Sequence, residues 1–326
     1  MKVNSKKISF TCILCNSKNF STVYKNVNGY SVVKCLNCNL ISTYPKPTRK
    51  YLKEMYDKQV ISVNAEKEDL ALEYLENPKV AYRLGYEKRL KAIKVYLKGK
   101  EILEIGCGAG IFLDYLKKNG FNVTGVEISP WGARWARKKL GLKIHEKNIE
   151  DLGLREDSFH AVLMYDVLEH TRNPIESLKE IHKLLKPGGL LVLNLPNFGS
   201  FMSKLRKEHW LKLDPPQHLF HFDKGSIGRL LNNLSFNIVK VKTNTGATEE
   251  LGKELFFQAV GKQRKNSITY IYKRLKPILT PVKKITYRLI KFTFSLIGPL
   301  INNILARANL GEGIEVYALK NTDSYE

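Results

Sequence analysis

From residue 101 onwards, short apolar runs alternate with amphipathic segments, and this pattern predicts alternating strands and helices. The predicted strands lie at about residues 101–106, 122–128, 161–167 and 190–197. Residues 109–120 predict a helix closed by Gly120, and Pro130 predicts the first turn of the next helix. We therefore expect a doubly wound α/β fold whose parallel sheet binds ligands at the carboxyl ends of its strands.

The remaining sequence predicts three additions to this sheet domain. A linker with two prolines near residue 47 separates the N-terminal segment from a helical region, and a basic, aromatic segment interrupts the end of the sheet domain. The predicted organisation is an N-terminal domain at 1–47, a helical lead-in at 48–98, a sheet domain at 99–326, and a helical insertion at about 249–312, before the last strand.

The charge of the chain is concentrated in its additions. The 326 residues are 43% hydrophobic and 26% charged, which is typical of a globular protein and excludes a disordered or collagen-like one. The formal net charge is +23, and residues 1–53 and 262–307 contain ten and eleven basic residues without an acid. This distribution predicts anionic partners such as nucleic acid or lipid, although a lysine-rich solvated surface would look similar.

The segment 268–308 alternates basic residues with large apolar ones, a pattern typical of a helix at an anionic membrane surface. Helices that pack on the sheet or on a second subunit would have the same pattern. No run is long and apolar enough for a membrane span, and the N-terminus lacks a signal-peptide pattern. We expect a cytoplasmic protein with peripheral contact at the inner membrane face.

Four of the five cysteines form two Cys-x-x-Cys pairs, Cys12 with Cys15 and Cys35 with Cys38. The segment between the pairs predicts a hairpin around Asn28-Gly29. Two thiolate pairs brought together by a hairpin complete a tetrahedral shell, so the sequence predicts a zinc ribbon whose closed site is structural. Two disulfides or a redox pair are the alternatives, and the predicted reducing compartment disfavours them.

The first predicted strand ends in the glycine turn Gly106-Cys107-Gly108-Ala109-Gly110. Ile111 stands where a dinucleotide-binding turn needs glycine, and the P-loop lysine is absent. Glu104, inside the strand, would repel a pyrophosphate and suit the cationic end of a ligand. Glu127 closes the next strand, where a carboxylate can accept both hydroxyls of a ribose.

Together with the segments 159–170 and 186–197, these motifs resemble the class I S-adenosylmethionine-dependent methyltransferases. The resemblance covers about residues 100–245 and the last strand, and it implies a Rossmann-like, seven-stranded, mostly parallel sheet with S-adenosylmethionine as cofactor. Asn148 stands where such enzymes usually have an Asp that contacts the adenine. The residues that the resemblance assigns to the cofactor are Glu104, Gly106, Gly108, Gly110, Glu127, Ile128, Asn148, Ile149 and Asp166.

Methyl transfer to a hydroxyl needs a group that removes a proton, and His170 is the candidate base. It lies just after the predicted fourth strand, in a Leu-Glu-His element similar to one that borders the acceptor pocket in quinone-pathway O-methyltransferases. Glu169 and His170 could equally cap the following loop. The cluster 214–222, with His218 and His221, is a candidate acceptor wall, or else a packed loop of hydrogen-bonded histidines.

The ribbon also resembles those attached to a methyltransferase subgroup associated with surface-glycan and natural-product pathways. This resemblance implies a small molecule, a sugar or a lipid-linked glycan as acceptor, and we expect O-methylation. An RNA methyltransferase, with the basic segments holding phosphates, is the second hypothesis. A cofactor-binding module without turnover is the third, because methyl transfer needs few signature side chains.

Overall fold

The computed structural model describes residues 10–48, 50–52, 55, 69–77, 79–244 and 298–321. The chain forms two compact units, one made of residues 1–196, 208–241 and 314–326, the other of residues 197–207 and 242–313. The first unit holds the predicted ribbon and the core of the sheet domain.

The described strands form two sheets. In chain order they are β1 Phe20–Val27, β2 Tyr30–Cys35, β3 Ile41–Tyr44, β4 Glu101–Ile105, β5 Asn122–Val126, β6 Ile144–His145, β7 Phe159–Tyr165, β8 Leu185–Pro196, β9 Phe220–His221, β10 Phe236–Asn244 and β11 Gly313–Lys320. The larger sheet has seven strands in the order β10-β11-β8-β7-β4-β5-β6. The pairings β4 with β5, β4 with β7, β5 with β6 and β7 with β8 are parallel, which confirms the predicted seven-stranded, mostly parallel sheet.

Helices connect these strands. The α-helices are α1 Val80–Arg83, α2 Tyr86–Lys94, α3 Ile111–Lys118, α4 Pro130–Leu140, α5 Pro174–Leu184, α6 Phe201–Arg206 and α7 Lys224–Asn232, and residues 69–76 and 298–307 are also helical. Short 3-10 helices lie at Ile149–Asp151, Leu168–His170, Lys207–His209 and Leu211–Leu213. Within the predicted helical lead-in at 48–98, Gly85 adopts a left-handed φ of 73° and separates α1 from α2.

The smaller sheet, in the order β1-β2-β3-β9, joins the ribbon to the sheet domain. β1, β2 and β3 form the predicted hairpin and its third strand, while β9 comes from the loop after β8. Cys12, Cys35 and Leu40 of the ribbon share one hydrophobic core with Phe220 and Leu168. The ribbon is therefore packed into the first unit rather than tethered to it.

The predicted insertion at 249–312 and the membrane-contact segment at 268–308 lie mostly outside the described residues. Their described end, residues 298–307, is helical and precedes β11. In this second unit, Thr243 Oγ1 donates to the carbonyl of Ala306 at 2.9 Å. Among the described residues, no helix has the length and hydropathy that a membrane span requires.

Candidate active site

The predicted glycine turn lies directly after β4, at the carboxyl edge of the larger sheet. Gly106, Gly108 and Gly110 all have positive φ, between 56° and 76°, a conformation that glycine adopts readily. A Cβ at Gly106 would lie 2.4 Å from Val167, whereas a Cβ at Gly108 would meet no atom within 4 Å. Position 106 therefore needs glycine because Val167 packs against it. Gly108 instead borders open space, which we call the glycine cradle.

Glu127, which follows β5, is hydrogen-bonded to the glycine turn. Its carboxylate accepts from the backbone N–H of Gly108 and from that of Ser129, each at 2.7 Å. A Cβ on Gly132, in the first turn of α4, would lie 2.9 Å from the carbonyl of Gly108. Close backbone approach and two charge-assisted hydrogen bonds therefore fix the Glu127 carboxylate beside the cradle.

Glu104, in β4, is 6% exposed, and its Oε2 has no hydrogen-bond partner within the described part of the chain. Burial raises the pKa of this carboxyl to about 8; the Arg89 guanidinium opposes the shift and Glu127 adds to it. A buried carboxyl oxygen without a partner next to an open glycine cradle fits a ligand with a cationic group. These residues fit S-adenosylmethionine, whose methionine end carries an ammonium group.

Arg89 was not anticipated from the sequence. It lies on α2, and its guanidinium stacks over the rings of Tyr86, Phe112 and Tyr165, with 4.6 Å to the Tyr165 ring. Burial raises the pKa of Tyr165, whose hydroxyl has no partner among the residues described. The only signal in the sequence was a basic residue on a predicted helix, which carries no information about the helix's partner.

The other predicted cofactor residues lie at the same edge of the sheet. Ile128, after β5, is exposed, and Ile149 is buried in the core. Asn148 is exposed and donates to Asp151 Oδ2 at 3.1 Å. Asp166 follows β7 with a φ of 55° and accepts from Asn194 Nδ2 at 3.3 Å. Their contacts with a cofactor stay predictions.

Glu169, His170 and His218 form a cluster beyond Asp166. One carboxylate oxygen and one nitrogen of each ring lie within 4.8 Å of one another, and the two rings meet edge to face at 4.6 Å. Glu169 is 1% exposed, neither of its carboxyl oxygens has a partner in the described structure, and burial raises its pKa to about 8, with a further contribution from Asp166. This donor set is suited to moving protons or to holding a divalent cation.

The histidine rings are oriented by backbone carbonyls. His170 Nδ1 lies 3.1 Å from the carbonyl of Gln217, and His218 Nδ1 lies 2.7 Å from that of Lys212. Because a carbonyl oxygen only accepts, each neutral ring carries its proton on Nδ1 and its lone pair on Nε2. His221, by contrast, is 4% exposed, and burial lowers its pKa to about 3, with His218 adding to the shift.

The four ribbon cysteines meet as predicted. Their Sγ atoms all lie within 4.8 Å of one another, with Cys12 and Cys38 at 3.4 Å and Cys15 and Cys35 at 3.5 Å. All four are free thiols in this structure. Four sulfurs at these separations fit a tetrahedral site with metal–sulfur bonds of about 2.3 Å.

The strand order, the glycine turn after β4 and the acidic residue after β5 together define a class I S-adenosylmethionine-dependent methyltransferase domain, as the motifs predicted. A family model described as "Methyltransferase domain" matches residues 69–241, and the chain belongs to this family.

The chain is similar to a methyltransferase of known sequence, to a protein without a described function and to a solved methyltransferase structure. A ubiquinone biosynthesis O-methyltransferase of Cereibacter sphaeroides is 35% identical over 105 residues, which are 31% of this chain and 42% of that protein. An uncharacterised protein of Methanocaldococcus jannaschii is 29% identical over 171 residues, 52% of this chain and 78% of its own. The crystal structure of an S-adenosylmethionine-dependent methyltransferase from Archaeoglobus fulgidus, 18% identical, superposes with a TM-score of 0.48 over 73% of this chain and 94% of that one. The chain thus spans less than half the length of the ubiquinone-pathway relative.

Proposed function

We propose that the protein transfers the methyl group of S-adenosylmethionine to a hydroxyl of a small molecule, a sugar or a lipid-linked glycan. The observation that carries the proposal is the pairing of the buried Glu104 Oε2, which has no hydrogen-bond partner among the described residues, with an open glycine cradle at Gly108. The histidine cluster beyond β7 supplies the second requirement, a group that takes up the acceptor's proton.

The cofactor's sulfonium supplies an activated methyl group. The backbone of the Gly106–Gly110 turn, which is open at Gly108, would hold it; Glu104 would offer negative charge to its amine, and Glu127 would accept hydrogen bonds from its ribose hydroxyls. Ile128, Asn148 and Ile149 would border the adenine, and Asp166 would border the methyl-donor end. In this arrangement the chain mainly orients two reactants and excludes water.

His170 removes the proton of the attacking hydroxyl. Its Nδ1 is directed at the Gln217 carbonyl, so Nε2 carries the lone pair that a base needs. When the bound cofactor supplies its methyl group to the acceptor oxygen, His170 Nε2 would take up the hydroxyl proton. The neighbouring carboxyl of Glu169 stabilises the resulting imidazolium when it is ionised.

The cysteine cluster holds a structural zinc ion. The support for this part of the proposal is the set of four converging thiols, which leaves no ligand position for a reacting water. The zinc then stabilises the ribbon and takes no part in methyl transfer.

A lipid-linked acceptor would place the enzyme at the inner face of the membrane, in contact with it through residues 268–308. Within the described end of this segment, Leu300 and Ile304 are exposed large apolar side chains one helical turn apart. This supports interfacial contact rather than a membrane span.

The test is transfer of a radiolabelled methyl group from S-adenosylmethionine into a host-cell extract that is then separated by chemical class. We expect label in the lipid, glycan or small-molecule fraction. Label that nuclease removes would establish the RNA hypothesis instead, and binding of S-adenosylhomocysteine without any transfer would establish the cofactor-binding module.

The role of His170 has its own test. His170→Ala is expected to lower the transfer rate by about a hundredfold, the usual contribution of a general base, without weakening S-adenosylhomocysteine binding. The matched control is His209→Ala, since the His209 side chain is exposed. Undiminished transfer by His170→Ala would remove it as the base.

A further inference from the structure

The ribbon's third strand is hydrogen-bonded to the loop that carries two of the histidines. We call residues 212–222 the acceptor loop. β3 pairs antiparallel with β9 of this loop, with Ile41 opposite His221 and Ser42 opposite Phe220. The backbone N–H of Thr43 also donates to the carbonyl of Leu219 at 3.0 Å. The ribbon therefore fixes the backbone of the acceptor loop.

Thr43 contacts both histidines of the loop with its side chain. Its Oγ1 lies 2.6 Å from the carbonyl of His218 and 3.2 Å from Nε2 of His221, and the residue is 3% exposed. The hydroxyl has one proton, and the carbonyl can only accept it. His221 must therefore donate from Nε2 to Thr43, which fixes the tautomer of His221.

From His218 the contacts continue to the catalytic cluster. The His218 ring packs on that of His170, and the backbone N–H of Leu219 donates to the carbonyl of Glu169 at 2.8 Å. The acceptor loop thus supports the Leu168–His170 segment by a ring contact and a backbone hydrogen bond. A displacement of the loop would move the base.

Two further parts of the ribbon, its β1–β2 turn and its cysteine cluster, contact the acceptor loop and α7. In the β1–β2 turn, Asn28 Nδ2 donates to the carbonyl of Pro215 at 3.0 Å. Next to the cysteine cluster, Arg229 of α7 donates to the carbonyl of Cys38 at 2.6 Å. The ribbon is therefore held against the acceptor loop and α7 at three separate places, one of them beside the metal ligands.

We propose that the ribbon is a wall of the acceptor site and that Thr43 is a positioning residue, which sets the placement of His218 and, through it, of His170. This inference rests on the proposed function, because it assigns the loop to acceptor binding. It gives the ribbon a role in the reaction besides holding metal. Acceptor methylation should depend on Thr43, and cofactor binding should not.

The experiment compares Thr43→Val, which removes the hydroxyl at nearly constant volume, with Thr43→Ser, which restores it. Thr22→Val, at an exposed position on β1, is the matched control. Three quantities are measured on the zinc-loaded full chain: S-adenosylhomocysteine affinity by calorimetry, label transfer into the extract fraction that the wild type labels, and the tautomers and shifts of histidines by nitrogen-15 NMR.

Thr43→Val is expected to keep its affinity for S-adenosylhomocysteine, to transfer label about tenfold more slowly or worse, and to shift the resonances of His218 and His170 while His221 loses its fixed Nε2–H tautomer. Thr43→Ser should restore the transfer rate, the resonances of His218 and His170, and the Nε2–H tautomer of His221. Unchanged transfer together with unchanged histidine resonances in Thr43→Val would overturn the inference.

Different results would contradict the proposed function and the role of Thr43. If the wild type neither binds S-adenosylhomocysteine nor transfers label, the proposed function fails, and the NMR comparison still decides whether Thr43 positions the histidines. If Thr43→Val does not fold, Thr43→Ser decides, since a shifted His221 tautomer in that variant would contradict the hydroxyl-based account.

Discussion

Glu127 Oε2 accepts a hydrogen bond from the backbone N–H of Gly108 at 2.7 Å, which joins the ends of two neighbouring parallel strands. The same carboxylate accepts from Ser129 through its other oxygen. The carboxylate that the sequence predicts to bind a ribose is therefore already oriented by backbone N–H groups after β4 and after β5. Little conformational entropy remains to be lost when a ligand binds there.

The first prediction concerns this carboxylate. Glu127→Ala should weaken S-adenosylhomocysteine binding by at least ~1 kcal/mol, because charge-assisted hydrogen bonds are lost. Calorimetry measures the change. Glu146→Ala, an exposed acid after β6 that pairs with Arg137, serves as control and should bind normally. Unchanged affinity in Glu127→Ala would count against the cofactor assignment.

The second prediction concerns pH. With a pKa of about 8, Glu104 is protonated at pH 6 to 7 in the free protein, and a nearby ammonium group favours its ionised form. S-adenosylhomocysteine should therefore bind more tightly as the pH rises towards 8, by up to about tenfold per pH unit, with release of a proton.

Calorimetry in buffers of different ionisation enthalpy detects that proton. Glu104→Gln should remove the pH dependence, whereas Glu101→Gln, on the same strand but paired with His160, should keep it. The free energy of unfolding of the cofactor-free protein should fall as pH rises between 4.5 and about 8, because the native state retains the proton longer than the unfolded chain. Affinity that is flat over this range would show that Glu104 does not face the amine.

The third prediction separates two glycines of one turn. Gly106→Ala places a methyl group against Val167 and should lower the free energy of unfolding by about 2 kcal/mol or more. Gly108→Ala meets open space, so it should cost the fold only ~1 kcal/mol of backbone strain but weaken S-adenosylhomocysteine binding by about tenfold or more. Thermal unfolding and calorimetry distinguish the two effects. Equal affinity of Gly108→Ala and wild type would mean that no ligand enters the cradle.

The fourth prediction concerns zinc. The purified protein should contain about one zinc ion per chain, and Cys35→Ser should lose it together with several kcal/mol of stability. Cys107→Ser, at the free thiol of the glycine turn, should keep the metal. Metal analysis of both variants provides the check, and a zinc-free wild type would exclude the structural metal.

The sequence predicted the structure correctly wherever the spacing of neighbouring residues determines it. The Cys-x-x-Cys pairs around a hairpin predicted the converging thiols, and the alternation of apolar and amphipathic segments predicted the parallel sheet. The glycine spacing predicted a tight turn after the first strand of the sheet domain, and Gly106, Gly108 and Gly110 form it with positive φ. Each of these features depends on a few neighbouring residues and on constraints that any chain obeys.

What could not be predicted depends on contacts between distant segments. The sequence predicted a helical lead-in at 48–98, and the left-handed Gly85, which separates α1 from α2 within it, has no periodicity signal. Arg89 meets the ring of Tyr165 76 positions later, and Thr43 meets His218 175 positions later. Periodicity reports which face of an element is buried but not which element covers it.

The shared sheet of ribbon and acceptor loop also determines where the polypeptide can be cut. Removal of residues 1–47 would leave β9 as an unpaired edge and expose Phe220 and Phe222, now 2% and 1% accessible. A bare edge strand flanked by aromatic side chains is a template for intermolecular pairing and aggregation. The ribbon therefore cannot be treated as a detachable module, and expression of the isolated methyltransferase region should retain it.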